Sequence, residues 1–423
     1  MPEVADARMM RDKANAFLHL LHKPQKDRSP GNEYALFDYD GPHREVMHYL
    51  VPSARLRRGL PLRAMNGPQM EAALALLRAS LSDGGFAKVE AIRSLEHVLI
   101  AKDDAEVAAD SSRAARRFVR DPAGYYVSVF TPAAGGDQIA ATALWGWRFE
   151  GHHVSLHWTL AGEQVLASTP QFLGAQPAWV TEHIPGGPPA NTRVLGGEAT
   201  LARQLVDTLS SSQRRVGVAY VPWDIETGVA RDALNERHPP LLEQRGLRYA
   251  DMDATQRELL ELLVHLYAHT QRPAVASQRL DTITRVGWND TRFLWMGAPD
   301  AGGAQYYRIV LPTVFVIEYD NVAFGQPEHE HTVWRDLSDD WGRRSAAAHA
   351  DANSIERHYA TSDHHAVDRL RAQLHRDARD GSAAEARLRE MISQEDGWHA
   401  HAGVLHRHGH GHGHDFAARD GRR

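Results

Sequence analysis

The sequence predicts an α+β fold in which mostly antiparallel sheet is flanked by helices. Two blocks of short runs rich in β-branched and aromatic residues predict the strands, and turn residues separate the runs. Amphipathic helical patterns precede, separate and follow these blocks. Because the connections between neighbouring runs are short, we expect the strands of each block to pair antiparallel.

The first strand block covers residues 125–169 and the second covers residues 292–321. The strand candidates are YYVSVF (125–130), ATALWGWRFEG (141–151), HHVSLHWTL (152–160), QVLAST (164–169), RFLWMG (292–297), YYRIVL (306–311) and TVFVIEYDN (313–321). A loop rich in proline and glycine follows the first block, at residues 181–198. Loops of this length are usually functional or mobile, so this one is a candidate lid.

Helical patterns surround the two strand blocks. The predicted helices cover about residues 67–83, 86–100, 198–212, 254–271 and 338–394. Asn66 and Asp253 are the expected N-caps of the first and fourth helices. The pair Gly84-Gly85 is the expected end of the first helix, and Gly381-Ser382 is an expected break in the last one.

A chain of 423 residues can bury a large core without disulfides or other staples. We expect one core domain over residues 61–350, with an N-terminal segment over residues 1–60 packing on it. A C-terminal helical segment is expected over residues 351–396, followed by a flexible histidine-rich tail over residues 397–423. The tail is either a metal-collecting element or an inert disordered end.

Composition excludes several kinds of protein. There is no cysteine, so thiolate metal sites, iron–sulfur clusters and cysteine nucleophiles are all excluded. The formal net charge is −6 with both signs mixed along the chain, which argues against a nucleic-acid partner. The N-terminus lacks the pattern of a signal peptide, and no apolar run is long enough for a membrane helix. We therefore expect a cytoplasmic protein without a membrane partner.

The stretch QPEHEHTVWRD, residues 326–336, carries the first candidate site. In a strand, His329 and His331 would point to the same face, with their Cα atoms about 6.5 Å apart. Two imidazoles can then converge on one metal ion. The pattern His-x-His is weak evidence by itself, and a polar loop facing water is the more common explanation.

The stretch GHHVSLH, residues 151–157, carries the second. Strand alternation would place His153 and His157 on one face, where both can serve as metal ligands. His152 would then lie among apolar residues, either as a ligand or as a buried histidine with a hydrogen bond. A solvated outer face is the alternative for His157.

Four motifs together resemble a known family, the bacterial domain-of-unknown-function family 3500. These motifs are LWGWRFEGHHVSL, FLGAQPA, YYRIVLPTVFVIEYDN and EHEHTVWRDLSDDWG, and they occur in the family's order. The resemblance covers about residues 60–350 and implies membership, but it implies no particular activity. It favours a metal site at His329 and His331, because an exposed loop would not need a shared pattern. It also favours the pair His152-His153 over His157.

Carboxylates and arginines near these histidines are candidate catalytic residues. Glu318 and Asp320 share one strand face, and either can support a ligating histidine or bind the metal directly. The alternative is that both are exposed and paired with arginines such as Arg308. Arg308 and Arg335 are candidate anchors for an anionic substrate.

Four tryptophans are candidate walls of an apolar pocket, although aromatic residues in strands are more often simply core. They are Trp145, Trp147, Trp158 and Trp334. The pair His265 and His269 lies four residues apart on a predicted helix, but it lacks the glutamate of a zinc-protease helix. We therefore interpret that pair as structural.

These observations predict a metal-dependent enzyme that acts on a small molecule. An imidazole-rich site without thiolates suits copper, iron or zinc, and copper binds most tightly of the three. Copper or iron, the expected ions, would imply an oxidoreductase, and zinc would imply a metal-bound water as nucleophile. The alternative is a metal carrier without catalysis. An oligomer is compatible with the sequence.

Overall fold

The structure is a computed structural model, and it describes the greater part of the first 343 residues and a short C-terminal segment. The described residues are 2–26, 34–49, 57–116, 118–132, 138–141, 143–219, 245–297, 305–321, 328–343, 398–401 and 404–407. The helix expected over residues 351–396 and most of the histidine-rich tail lie outside them. Within the tail, Trp398–His401 and Val404–Arg407 pair as a two-stranded antiparallel hairpin.

The described residues form helices and strands in the following order. The helices are α1 Pro2–Leu20, α2 Lys23–Lys26, α3 Gly67–Ser80, α4 Asp83–Ala109, α5 Gly196–Asp207, α6 Ser211–Gly217, α7 Ala254–Ala268 and α8 Pro273–Val286. The strands before the tail are β1 Leu36–Asp38, β2 Leu60–Pro61, β3 Tyr126–Thr131, β4 Leu144–Gly151, β5 Val154–Ala161, β6 Gln164–Ala167, β7 Gln171–Ala175, β8 Val218–Ala219, β9 Leu247–Arg248, β10 Arg292–Met296, β11 Tyr306–Leu311, β12 Phe315–Asp320 and β13 Glu330–Asp336.

One sheet connects all of these strands. Its order is β1-β3-β4-β5-β7-β13-β12-β11-β10-β8, and β2, β6 and β9 pair with β3, β5 and β10. Neighbouring strands run antiparallel except in the pairs β1–β3 and β8–β10. The α+β fold with a mostly antiparallel sheet is therefore confirmed. Strands β7 and β13 join the two predicted blocks, because β7 pairs with β5 and β13 pairs with β12.

The two faces of this sheet differ in chemistry. Directly paired residues share a face, so the register places side chains of β4, β5, β13, β12 and β11 in two sets. The apolar face carries Trp147, Trp158, Ile317 and Ile309 among others, and it packs on the helices in two large hydrophobic clusters. The polar face carries Arg148, His157, Glu150, Ser155, His331, Asp320, Glu318 and Arg308.

The polar face is nonetheless buried. All eight side chains just named are nearly inaccessible to solvent. The segment of residues 34–49 lies against this face, with Tyr49 stacked on Phe172 at 3.9 Å between ring centroids. The Arg148 guanidinium donates to the backbone carbonyls of His43 and Val46 in the same segment, at 2.7 and 3.0 Å. This segment therefore covers charged strand residues and also packs on a small apolar cluster of Phe172, Val310, Val316 and Val333.

The tryptophans expected to wall a pocket belong to the apolar face. Trp145, Trp147 and Trp158 lie in one helix-covered cluster and Trp334 lies in the other. The pocket interpretation is wrong for these residues, because strand alternation turns them away from the face that carries His331 and Asp320. They are core residues, and Trp147 stacks on Trp158 with ring centroids 4.3 Å apart.

The helix caps follow the sequence, with one exception. Asn66 and Asp253 form capping boxes with Gln69 and Gln256, as the N-cap pattern predicts. Gly84-Gly85 does not end the first helix, since α3 stops at Ser80 and the glycines lie in the first turn of α4. Gly85 is needed for close packing, because a Cβ there would lie 2.0 Å from the carbonyl oxygen of Thr270.

The N-terminal segment contributes to the same core. The side chains of Met10, Ala14 and Phe17 on α1 are buried in one cluster with Leu76 of α3 and Trp158 of the sheet. Among the residues that the structure describes, none of the helices is long and apolar enough to cross a membrane.

Candidate metal centre

His153 occupies the tight connection between β4 and β5. Its φ is +63°, a left-handed conformation that non-glycine residues adopt rarely. Two backbone hydrogen bonds fix it there: its N–H donates to the carbonyl of Tyr49, and its carbonyl accepts from the N–H of Gly174, both at 2.8 Å. The sequence predicted a strand from residue 152, but β5 begins at Val154, so His153 projects from a turn.

Gly174 leaves room for the His153 ring. A Cβ at position 174 would lie 2.8 Å from Cδ2 of His153 and 2.9 Å from the carbonyl oxygen of Glu330. Both distances are shorter than real Cβ contacts allow. Gly174 on β7 is therefore required so that the imidazole of His153 can lie over the sheet and reach β13.

His329 directly precedes β13 and His331 is its second residue, and the two point to one face, as their spacing predicts. The centroids of their rings are 4.5 Å apart. His331 pairs in register with Gly174 on one side and with Asp320 on the other. This register brings the ring of His331 to 5.3 Å from that of His153, measured between centroids.

The three histidines form a compact, buried group. The Nε2 atoms of His153 and His329 are 2.6 Å apart, and one ligand nitrogen from each of the three rings lies within 4.8 Å of the others. The exposed fractions are 3% for His153, 2% for His329 and 8% for His331. Such a group can hold one metal ion. Two nitrogens bound to a tetrahedral ion lie about 3.3 Å apart, so binding would open the shortest contact slightly.

Asp320 lies beside this group. Its Oδ1 is 3.5 Å from Nδ1 of His331. A carboxylate beside the second nitrogen of a ligating histidine fixes the orientation of the ring and increases its basicity. With Nδ1 beside Asp320, Nε2 of His331 is the nitrogen left to bind a metal ion.

His152 turns away from the group and binds Glu96 on α4. Its Nδ1 makes a short contact with Oε1 of Glu96. Burial lowers the pKa of His152, whereas the hydrogen bond from His152 keeps the pKa of Glu96 below its usual value despite burial. This buried contact fixes the orientation of the His152 ring. His152 still braces the site, because its ring stacks on that of His153 with centroids 3.9 Å apart.

Glu318 and Arg308 pair with one another. They are opposite each other in register on β12 and β11 and form a buried ion pair, and the Tyr306 hydroxyl donates to Glu318 at 2.5 Å. Glu318 is thus paired with an arginine, as the alternative stated, but the pair is buried rather than at the surface. Asp320 is also buried, so the alternative in which these carboxylates are exposed is wrong.

Arg335 and His157 lie elsewhere on the polar face. Arg335 forms a buried ion pair with Asp340, and its guanidinium lies 4.8 Å from the ring centroid of Trp341. His157 is also buried, with Nε2 at 3.0 Å from Oγ of Ser155. Among the described residues, the group with metal-binding geometry includes neither of them, nor His152.

Sequence reasoning passed over several residues that shape this group. Glu96 lies on a helix far from the histidines in sequence, and nothing local marks it. Gly174 lies in a motif shared with the family, which was its only signal. Glu330 stands between the two histidines of β13, so alternation alone would place its side chain on the opposite face, where the structure has it bound to Arg193.

A family model described as protein of unknown function (DUF3500) matches residues 3–343. The chain belongs to this family. The matched range contains His153, His329 and His331, and it also contains nearly all of the N-terminal segment. Comparison with curated proteins and with solved structures gives no match. The DUF3500 match carries no activity, so the site itself has to support any function.

Proposed function

We propose that this DUF3500 protein is a metal-dependent enzyme that acts on a small molecule, with His153, His329 and His331 as the metal ligands. The observation that supports it is the convergence of three buried imidazoles from the β4–β5 turn and β13. Buried polar groups are costly unless they are satisfied. Three imidazoles whose ligand nitrogens lie within 4.8 Å of one another can bind one cation together.

The ligand set favours copper or zinc. Three imidazoles suit these two ions, whereas oxygen-using iron enzymes commonly use two histidines and a carboxylate. Asp320 is the nearest candidate carboxylate, and it faces Nδ1 of His331 rather than completing the group. Copper would supply oxidation of the substrate, and zinc would supply an activated water.

The residues around the group would orient the ligands and control access. Asp320 would hold the ring of His331, and the stacked ring of His152, fixed by Glu96, would hold that of His153. His331 is the most exposed of the three ligands, so a small substrate would approach from its side. Arg308 and Arg335 are each engaged with a buried carboxylate, so anchoring an anionic substrate would require them to leave it.

A metal carrier is the second candidate, and the tail supports it. Seven histidines between residues 399 and 414 provide imidazoles on a glycine-rich segment that can capture ions. A cargo ion has to leave its carrier readily, however. The burial of all three core ligands favours a resident ion over a transported one.

Metal content per chain tests this proposal. In the tail variant, serine replaces the seven histidines between residues 399 and 414 in the full-length chain. After loading with Cu²⁺ or Zn²⁺ and desalting, we expect the tail variant to retain about one ion per chain. The additional replacements His153→Gln, His329→Gln and His331→Gln should abolish this retention, because they remove all three ligands.

The matched control replaces a histidine pair on α7. His265 and His269 have ring centroids 5.8 Å apart and lie at the surface, so His265→Gln with His269→Gln should leave the core ion in place. Turnover of a substrate by the metal-loaded tail variant, and not by the variant that also lacks the three core histidines, would then establish that the protein is an enzyme. If all retained metal disappears with the tail histidines, the core site is refuted.

A further inference from the structure

The long proline- and glycine-rich loop is docked on the helix-covered side of the sheet. Its base is closed by backbone hydrogen bonds between Val180 and the pair Asn191 and Thr192, at 2.7 and 2.9 Å. Its tip packs against α4 so closely that a Cβ on Gly186 would lie 2.9 Å from Cδ2 of His97. The loop is therefore a packed element rather than a lid over the polar face.

The base of this loop is attached to the chain on both sides of His329. The N–H of Ala178, just before the loop, donates to the carbonyl of Glu328 at 2.7 Å. Arg193, just after the closed base, donates through Nε and Nη2 to Oε1 of Glu330 at 3.0 and 2.6 Å. These two contacts, at Glu328 and Glu330, lie on either side of the proposed ligand His329. Glu330 also directly precedes His331.

The contact between Arg193 and Glu330 is a buried ion pair. The Glu330 side chain is 0% exposed and that of Arg193 is 28% exposed. The Tyr319 hydroxyl donates to the same Oε1 of Glu330 at 2.8 Å. Breaking a buried pair leaves an uncompensated charge, which is strongly destabilising. Without Arg193, the buried carboxylate would lose its guanidinium partner and would have to move, and its backbone is that of the ligand strand.

We propose that Arg193 and Glu330 are positioning residues, through which docking of the loop at residues 180–193 and metal binding at His153, His329 and His331 are coupled. The inference rests on the proposed metal site and adds a second element that regulates it. The two histidines flanking Glu330 point to the polar face, whereas Glu330 points to the face where the loop lies. Strand β13 thus transmits the position of the loop to the ligands.

Coupling between two equilibria is reciprocal, so it can be measured from both ends. In the tail variant, Arg193→Gln should weaken Zn²⁺ binding about tenfold, an effect typical of residues that orient ligands. In the tail variant that keeps Arg193, hydrogen exchange of the loop amides should slow by a similar factor when Zn²⁺ binds. Arg193→Lys keeps the positive charge and should restore part of the affinity.

A second ion pair provides a matched control. Lys102 on α4 pairs with Glu328, also next to His329, at 3.3 Å, but both side chains are at least half exposed. Exposed pairs contribute little, so Lys102→Gln should leave Zn²⁺ affinity within about twofold. The Cu²⁺ paramagnetic resonance spectrum should change in Arg193→Gln and stay unchanged in Lys102→Gln, because only the first shifts the ligands.

The outcomes separate this inference from the proposed function. If the tail variant binds no metal, both fail. If it binds metal but Arg193→Gln leaves affinity and spectrum unchanged and Zn²⁺ does not slow exchange in the loop, only the coupling is overturned. If Arg193→Gln fails to fold, the coupling is tested by hydrogen exchange of the loop amides alone. That exchange is measured with and without Zn²⁺ in the tail variant that keeps Arg193.

Discussion

The two faces of the sheet are both buried, yet they are built from different chemistry. On β12, Ile317 packs among apolar side chains under the helices, while its neighbour Glu318 lies in an ion pair with Arg308 on the other face. The apolar face gains free energy from burial itself. The polar face gains it only where each charge and hydrogen-bonding group has a partner. The three-histidine group lies on the polar face, where removing one side chain leaves its bonding partner buried and unsatisfied.

The largest expected effect comes from breaking the charge pairing of the polar face. Glu318→Leu leaves the Arg308 guanidinium buried without its carboxylate, so the free energy of unfolding should fall by about 3–5 kcal/mol. The double replacement Arg308→Met with Glu318→Leu removes both charges and should recover most of this loss. Urea unfolding of the three proteins measures both values.

The matched control is the neighbouring residue on the apolar face. Ile317→Val removes one methylene group from a packed core and should cost only about 0.5–1.5 kcal/mol. An equal decrease in the free energy of unfolding for Glu318→Leu and Ile317→Val would show that breaking the ion pair costs no more than removing one methylene group. The two faces would then differ in composition but not in how they contribute to stability.

The second prediction concerns a residue with no side chain. Gly174→Ala should cost about 1–3 kcal/mol, because the added Cβ has to displace the His153 ring or the backbone of Glu330. It should also strongly reduce the metal content of the tail variant, since His153 would leave its position beside His329. Metal content after desalting and a urea unfolding curve measure these two effects.

Gly146→Ala is the control for this prediction. A Cβ there would lie 2.8 Å from the carbonyl oxygen of Trp158, so the strain is similar but is on β4, away from the histidine group. We expect a comparable loss of stability with retained metal. Loss of metal in both variants would mean that general destabilisation, and not the position of His153, controls binding.

The difference between the faces also explains what the sequence could reveal. Alternation within a strand is local, so the shared face of Glu318 and Asp320 and that of His329 and His331 could be predicted. Pairing between strands is not local. His153 and His329 are 176 positions apart, and they meet only because β7 and β13 join the two strand blocks. The motif FLGA, whose residues lie in β7, is short and contains a glycine, so its pattern did not mark it as a strand.

The same limit explains the assignments of the charged residues. Arg308 was named as a possible partner of Glu318, and the structure pairs the two across β11 and β12. The irregular pattern of residues 34–49 gave no sign that this segment packs on the polar face of the sheet, where it binds Arg148. The tryptophans kept two interpretations, pocket wall or core, because composition does not reveal which face of a strand meets the helices.

The smallest expected effect is the pH dependence that the polar face adds to stability. His157 is buried, and Arg148, Arg335, Arg44 and His48 surround it from β4, β13 and the covering segment. Burial, followed by these positive groups, lowers its pKa well below the usual value of 6.5. The unfolded chain therefore binds a proton at this residue near pH 6 that the folded chain does not, and stability falls as the pH drops below 6.5.

One such proton reduces the free energy of unfolding by at most about 1.4 kcal/mol for each pH unit below 6.5. His157→Gln retains a group that can bond Ser155 and removes the titration, so its stability should decline less steeply between pH 6.5 and 5 than that of the unsubstituted protein. Thermal unfolding across this range measures the two slopes. Parallel curves would mean that His157 takes up its proton in the folded state, and the buried polar face would then tolerate a further positive charge beside its arginines.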